Sequence, residues 1–163
     1  MEKEVLTFRK ATKDDVTLIV SFIRGIAEYE KMLDQVELDP DTLKEEIFDN
    51  HRAEVVFALE NGKEVGFALY FYNFSTFVGH SGLYLEDLFV FPQYRHKGYG
   101  KALIVELSKI AKEKGCGRMD WVCLDWNKPS QDFYASLGAK PLHEWLLYRL
   151  DRKGIEKLSS DND

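Results

Sequence analysis

The run Leu83-Tyr84-Leu85-Glu86-Asp87-Leu88-Phe89-Val90 reads as a strand over about 82–91, ended by Pro92. A glycine-bearing turn then delivers the chain straight into a helix. That helix, YGKALIVELSKIAKEKG, carries Leu103, Leu107, Ile110 and Ala111 at helical spacing and stops at Gly115. A strand fed through glycines into a helix commits the chain to an α/β layer. The run also holds two adjacent acids, and an ionised carboxylate buried without a partner is costly. Alternation places Glu86 with Tyr84 and Leu88, and Asp87 with Leu85 and Phe89, so the two acids are expected on opposite faces. Asp87 is expected to be structural, hydrogen-bonded to backbone or to a basic side chain.

The remaining elements fit around this unit. LTFRKA (6–11) has the pattern of a first strand. From Thr12, the residues Val16, Ile19, Val20, Ile23 and Ala27 recur at helical spacing, with Thr12 as N-cap and Asp15 completing a capping-box variant. Asp39 caps a second helix that has Pro40 at its first position and runs to about Asp49. Two apolar runs meet at Asn61-Gly62, a strong hairpin signal. RMDWVCLDW reads as another strand, and NKPSQDFYASLG as a short helix capped by Asn127 and ended by Gly138. EWLLYRL is expected as a last strand, and residues from about 158 to 163 as a tail without fixed structure. No repeat, linker or low-complexity stretch divides the chain, so residues 1–163 are read as a single α/β domain with a mixed sheet.

Composition narrows the function. The chain has 163 residues, 45% hydrophobic and 31% charged, which suits one folded domain. Lys plus Arg total 22 against 28 for Asp plus Glu, so the net charge is −6 and a nucleic-acid partner is not expected. No run is apolar and long enough to cross a bilayer, and MEKEVLTFRK lacks the order of a secretory signal, so a membrane role is not expected. Cys116 and Cys123 read as reduced thiols of a cytoplasmic protein. His51, His80, His96 and His143 show no metal spacing, and no metal is expected.

Arg95-His96-Lys97-Gly98-Tyr99-Gly100 is the strongest chemical signal. Unsatisfied amides at a helix start carry partial positive charge, and glycines let a phosphate approach the main chain closely. Arg95, Lys97 and Lys101 add full charges. Lys101 is followed by Ala102 rather than Ser or Thr, so this is not a Walker loop, and the dinucleotide fingerprint fails as well. A connection with solvated lysines is the plain alternative; the flanking strand and helix favour a pyrophosphate cradle.

Arg-x-x-Gly-x-Gly after a strand and opening a helix resembles the acetyl-CoA motif of the GNAT acetyltransferases. FRKATKDDV and DWNKPSQDFYASLGAK resemble other segments of that superfamily. AEYEKMLDQV, LYLEDLFV and LDWN are similar to the spermidine/spermine acetyltransferase family, with FSTFVG and CLDWN closer to its thialysine-acetylating branch.

The resemblance implies a GNAT-like acyl-CoA N-acyltransferase fold, a mixed, mostly antiparallel sheet flanked by helices. It also implies an N-acetyltransferase that moves the acetyl group of acetyl-CoA to a primary amine of a small cationic acceptor by direct attack. The candidate acceptors are thialysine, a lysine-like amino acid, or a diamine or polyamine. The alternatives are a protein lysine or N-terminal acetyltransferase and a non-catalytic acetyl-CoA-binding regulatory domain. A homodimer is implied too, often with C-terminal elements exchanged.

Position by position, the resemblance implies that Leu88, Phe89 and Val90 present backbone to the pantetheine arm. His96, Lys97, Gly98, Tyr99, Gly100 and Lys101, with Arg95, would hold the pyrophosphate. Asn127 would contact the cofactor arm, although a helix cap explains it equally well. Tyr134 would serve the cofactor sulfur. Glu86 would serve the acceptor ammonium, which ordinarily titrates at about 10.4 and so must shed a proton before it can attack. Tyr29 and Glu30 would line the amine site, with a solvated helix end as the plain alternative. Ser75 and Thr76 match the thialysine branch, where the polyamine branch has Asp-Pro, so Ser75 would lie at the substrate site, and Glu144 would mark the outer acceptor site.

Overall fold

The computed structural model describes residues 4–161. Strands β1 (Leu6–Lys10), β2 (Glu54–Glu60), β3 (Lys63–Ser75) and β4 (His80–Val90) form an antiparallel meander, and β5 (Met119–Asp120) lies parallel to β4. The helices are α1 (Val16–Tyr29), α2 (Pro40–Lys44), α3 (Tyr99–Glu113), α4 (Lys128–Ser136) and α5 (Arg152–Ser159). By packing, the chain forms two compact units divided between Val122 and Cys123.

Local chemistry sets most boundaries. The Thr12 amide donates to Asp15 at 2.7 Å and Asp14 N donates back to the Thr12 hydroxyl, a capping box over the short turn that leads into α1. Asp39 accepts from Thr42 N at 3.0 Å with Pro40 next in line, and α2 then widens into a π-helical turn over Glu45–Asp49. Asn61 (φ 49°) and Gly62 (φ 83°) are both left-handed, as the two-residue hairpin turn demands. The Arg9 guanidinium joins Asp15 through two contacts of 2.8 Å and Glu64 at 2.7 Å, tying β1, the start of α1 and β3 together. Arg9 thereby holds the Asp15 carboxyl down to about 2.

In the first unit the sheet has a core on each face. Val56, Ala58, Val65, Ala68, Tyr70, Leu83, Leu85 and Val90 pack with Leu103 and Leu107 of α3. Val55, Phe57, Leu59, Phe67, Leu69 and Phe89 pack with Ile19 and Phe22 of α1. The Phe22 ring stacks on Phe67 (centroids 4.8 Å apart) and on Phe91 (4.3 Å).

The strand faces expose a departure from simple alternation. Leu69 pairs with Asp87 while Tyr70 pairs with Leu85, so Glu86 is the extra residue of a β-bulge. Before the bulge Leu83 and Leu85 face α3; after it Leu88 and Val90 do, and Asp87 shares the α1 face with Phe89. The expectation that Glu86 and Asp87 take opposite faces is therefore overturned. An inserted residue shifts the period-2 pattern by one place.

Three further expectations are corrected. EWLLYRL forms no strand, because none of its residues finds a ladder partner, and its apolar side chains are exposed. The strand read from RMDWVCLDW shrinks to Met119–Asp120, since its pairing with β4 ends at Tyr84, just before the bulge. Leu158 and Ser159, placed in the tail, close helix α5, where Asp151 caps by accepting from Gly154 N at 2.8 Å. Asp151 as cap with Ile155 and Leu158 three apart was the available signal. The last two tail residues lie outside the described residues.

Candidate active site

Main-chain groups along β4 are sorted by its pairing. Phe91 N donates to Val65 O at 3.0 Å, so Phe89 and Asp87 also turn their amides and carbonyls toward β3. Leu88 and Val90 turn theirs to the other edge, which β5 covers only opposite Leu83 and Tyr84. Of the three residues expected to offer backbone, Leu88 turns its amide and carbonyl to that edge and Val90 its amide, the Val90 carbonyl accepting from Arg95 Nε, while the Phe89 main chain is engaged in the ladder and its ring in the α1 core.

This open edge runs into the glycine loop. His96 (φ 63°) and Gly98 (φ 80°) are left-handed, and Gly98 is the N-cap of α3. The first backbone bond of the helix is Ala102 N to Gly98 O at 3.0 Å, so the amides of Tyr99, Gly100 and Lys101 have no intrahelical acceptor. A Cβ at Gly98 would meet nothing within 4 Å, and one at Gly100 only a Leu88 methyl at 3.9 Å. An extended arm with an anionic end thus has polar backbone along β4, then a bare, electropositive helix start. These residues fit the acetyl-CoA arm and pyrophosphate.

The loop's charged side chains are disposed less simply. Arg95 turns inward: its Nε donates to Val90 O at 2.9 Å and its guanidinium lies over Phe89 (5.0 Å) and Tyr29 (5.3 Å). Lys97 Nζ donates to Glu60 at 2.7 Å and to Glu4 at 2.9 Å. Lys101 is exposed in the first turn of α3, with no carboxylate in ion-pair range among the described residues.

Beside the edge lies an acidic group assembled by the bulge. Glu30, the C-cap residue of α1, is half-buried; Glu86 is exposed; Asp87 is half-buried. Burial, then Glu86, then Glu30 push the Asp87 carboxyl up to about 7. Burial and the charge of Glu86 raise Glu30 as well. No hydrogen bond or salt bridge to any of the three side chains occurs among the described residues, so the donor expected for Asp87 is not there. A cavity of about 770 Å³ is lined in part by Arg24, Glu28, Tyr29, Phe89 and Arg95, and none of the three acids lines it. Tyr29 precedes Glu30 in the chain and Phe89 shares the strand face of Asp87.

Sequence reasoning did not single out Arg24 and Glu28, which line the cavity, or the closeness of Asp87 to Glu30 and Glu86. A signal lay in Gly25, mid-helix: a Cβ there would come within 2.8 Å of the Phe89 ring, which marks close approach of α1 to β4. Ser75 is buried at the β3 end, opposite His80, and its hydroxyl accepts from Val78 N at 3.2 Å. It stands six strand positions, about 20 Å, from Glu86, so it is not brought together with the acids.

In the second unit Asn127 is 8% exposed and accepts from Ser130 N at 3.3 Å, the cap role. Tyr134 is half-buried on α4, its ring 5.6 Å from Phe133. Glu144 is exposed on a stretch with no regular structure.

An open mixed sheet with a bulged, half-uncovered strand leading into a glycine-capped helix defines an acyl-CoA N-acyltransferase fold. The model of the acetyltransferase (GNAT) family matches residues 22–139. The chain belongs to this family and is an acetyl-CoA-dependent acyltransferase. Thialysine N-epsilon-acetyltransferase of Bos taurus is 34% identical, over 93% of this chain and 95% of its own length. Spermidine/spermine N(1)-acetyltransferase-like protein 1 of Homo sapiens is 33% identical, over 90% of this chain and 23% of its own length. An integron cassette protein from the mobile metagenome of V. cholerae superposes with a TM-score of 0.79 at 29% identity, over 96% of this chain and 98% of that one.

Proposed function

We propose that this protein acetylates the side-chain amine of thialysine or a lysine-like amino acid, with short diamines as secondary acceptors. The carrying observation is the group of three carboxylates, Glu30, Glu86 and Asp87, within electrostatic reach of one another and without a cationic partner among the described residues. Such a group supplies the charge that an ammonium ion lacks in water-poor surroundings. Similarity to a thialysine acetyltransferase along nearly the whole chain points to the same acceptor class. Protein lysines and N-termini are not favoured, and a regulatory domain without turnover has no use for this acid group.

Acetyl-CoA, when bound, supplies the acetyl group and a thiol leaving group. Leu88, through its outward amide and carbonyl, and the Val90 amide would hold its arm, and the amides of Tyr99–Lys101, with Lys101, would meet its phosphates. Glu86 removes the ammonium proton through water, while Glu30 and Asp87 balance the remaining charge. The family resemblance assigns to Tyr134 the role of proton donor for the departing thiolate, and to Asn127, which caps α4, a contact with the arm. Ser75 and Glu144 are not assigned to the acceptor.

The protein is proposed to act in the cytoplasm as a homodimer. No described helix is long and apolar enough to cross a membrane. Trp145, Leu146, Leu147 and Tyr148 are between 71% and 87% exposed, a continuous apolar stretch that suits a second copy of the chain.

The test is acetyl-CoA-dependent thiol release against thialysine, lysine, ornithine, putrescine, spermidine, spermine and a lysine peptide. Thialysine or lysine should lead, with Glu86→Gln lower by about 100-fold or more and Tyr134→Phe by about tenfold. A lysine peptide outpacing every free amine would sink the assignment.

A further inference from the structure

The ion-pair group beneath the glycine loop joins distant parts of the chain. Glu60 ends β2 just before the hairpin turn, and its side chain is only 12% exposed. Its Oε1 accepts from Lys97 Nζ at 2.7 Å and from the Tyr99 hydroxyl at 2.6 Å. Glu4 accepts from the same two donors, at 2.9 Å and 3.3 Å. Lys97 and Tyr99 flank Gly98, and the Tyr99 ring is buried in the α3-side core. One carboxylate therefore grips the loop on both sides of its left-handed glycine. The neighbouring His96 is also left-handed, a conformation uncommon for a non-glycine residue that surrounding contacts must hold in place.

The charge balance bears on what Lys97 can do. Its single positive charge is shared by two carboxylates, so the local sum is negative. An incoming pyrophosphate gains no net attraction from that group. Swinging Lys97 out to a phosphate would break two charge-assisted hydrogen bonds and leave Glu60, largely buried, without its cation. Lys101, one helical step on and free of any such pair among the described residues, is the cation available to phosphate.

We propose that Glu60 is a positioning residue for the acetyl-CoA loop: it clamps Lys97 and Tyr99 so that the amides of Tyr99–Lys101 are preset for phosphate, and Lys97 is the clamp's anchor instead of a phosphate ligand. This rests on the acetyl-CoA reading of the loop. It moves Lys97 from the cofactor-contacting set that the resemblance implies to a supporting one.

Calorimetric binding of CoA to the wild type, Glu60→Gln, Lys97→Met and the double variant tests it, beside amide exchange of the ligand-free proteins over residues 95–101. Each single change should weaken CoA about tenfold, and the double should be no weaker than either, because both remove one clamp. Exchange in the loop should quicken in all three. For Glu60→Gln the KM for acetyl-CoA should rise while kcat at saturation stays within about twofold. If Glu60→Gln lowers the melting temperature sharply, Tyr99→Phe, which keeps the ring and removes one bond to Glu60, should still weaken CoA. Weaker binding by Lys97→Met with unchanged or tighter binding by Glu60→Gln would make Lys97 a phosphate ligand and overturn the clamp. Additive losses would do the same. Failure of the wild type to bind CoA would instead overturn the acetyl-CoA reading beneath it.

Discussion

Asp87 holds a carboxyl that burial, Glu86 and Glu30 push up to about 7 from an ordinary value of 3.8. Between those values the folded protein binds more protons than the unfolded chain, so this residue's contribution to stability falls as pH rises through the window. Asn cannot ionise. Asp87→Asn should match the wild type near pH 4 and exceed it at pH 8, by at most about 4 kcal/mol, as read from urea unfolding at both pH values. Equal stability of the two proteins at pH 8 would mean the carboxyl is not perturbed. A bound ammonium ion draws the Asp87 proton off, so amine binding near pH 7 should release protons and give a calorimetric heat that depends on the buffer. Charge types at these positions were legible in the sequence. Their shared face was not, because residue type carries no record of which strand pairs where.

The bulge in β4 is the element that puts Glu86 and Asp87 on one face. It is not evident from the pattern because unbroken alternation also gives each face one acid among apolar residues, and only the register against β3 shows Glu86 to be the extra residue. Deleting Glu86 gives a strand that alternates correctly: Leu83, Leu85, Leu88 and Val90 stay on the α3 face, Asp87 and Phe89 on the α1 face. The deletion should therefore fold, with a melting temperature within a few degrees of wild type, while amine acetylation drops by about 100-fold or more. A protein that no longer folds would show that the bulge serves the sheet and not only the chemistry. Helix α3 is set by packing as much as by its glycine cap. Leu103→Ala, at a fully buried position, should cost about 2–5 kcal/mol in denaturant unfolding.

For the whole molecule, the exposed apolar residues Leu142, Trp145, Leu146, Leu147 and Tyr148 predict association. In sedimentation, the wild type should run as a dimer and Leu147→Asp as a monomer, since a charge within a buried apolar contact lacks a partner. A wild-type monomer at every concentration would remove the dimer from the proposal. The strand expected at EWLLYRL belongs to this scale: its composition suits a strand, but a strand exists only where another offers a ladder, and none within the described chain does.

The sequence by itself determined the features that neighbours along the chain decide. The capping box at Thr12, the caps at Asp39 and Asn127, the hairpin at Asn61-Gly62 and the passage from β4 through Gly98 into α3 each depend on a few adjacent backbone groups or on glycine's freedom. Tertiary structure alone decided the bulge, the gathering of Glu30, Glu86 and Asp87, and the grip of Glu60 on Lys97, 37 residues away. Those depend on register between strands and on which charges meet across space, and both are set by packing that brings together residues far apart in the chain.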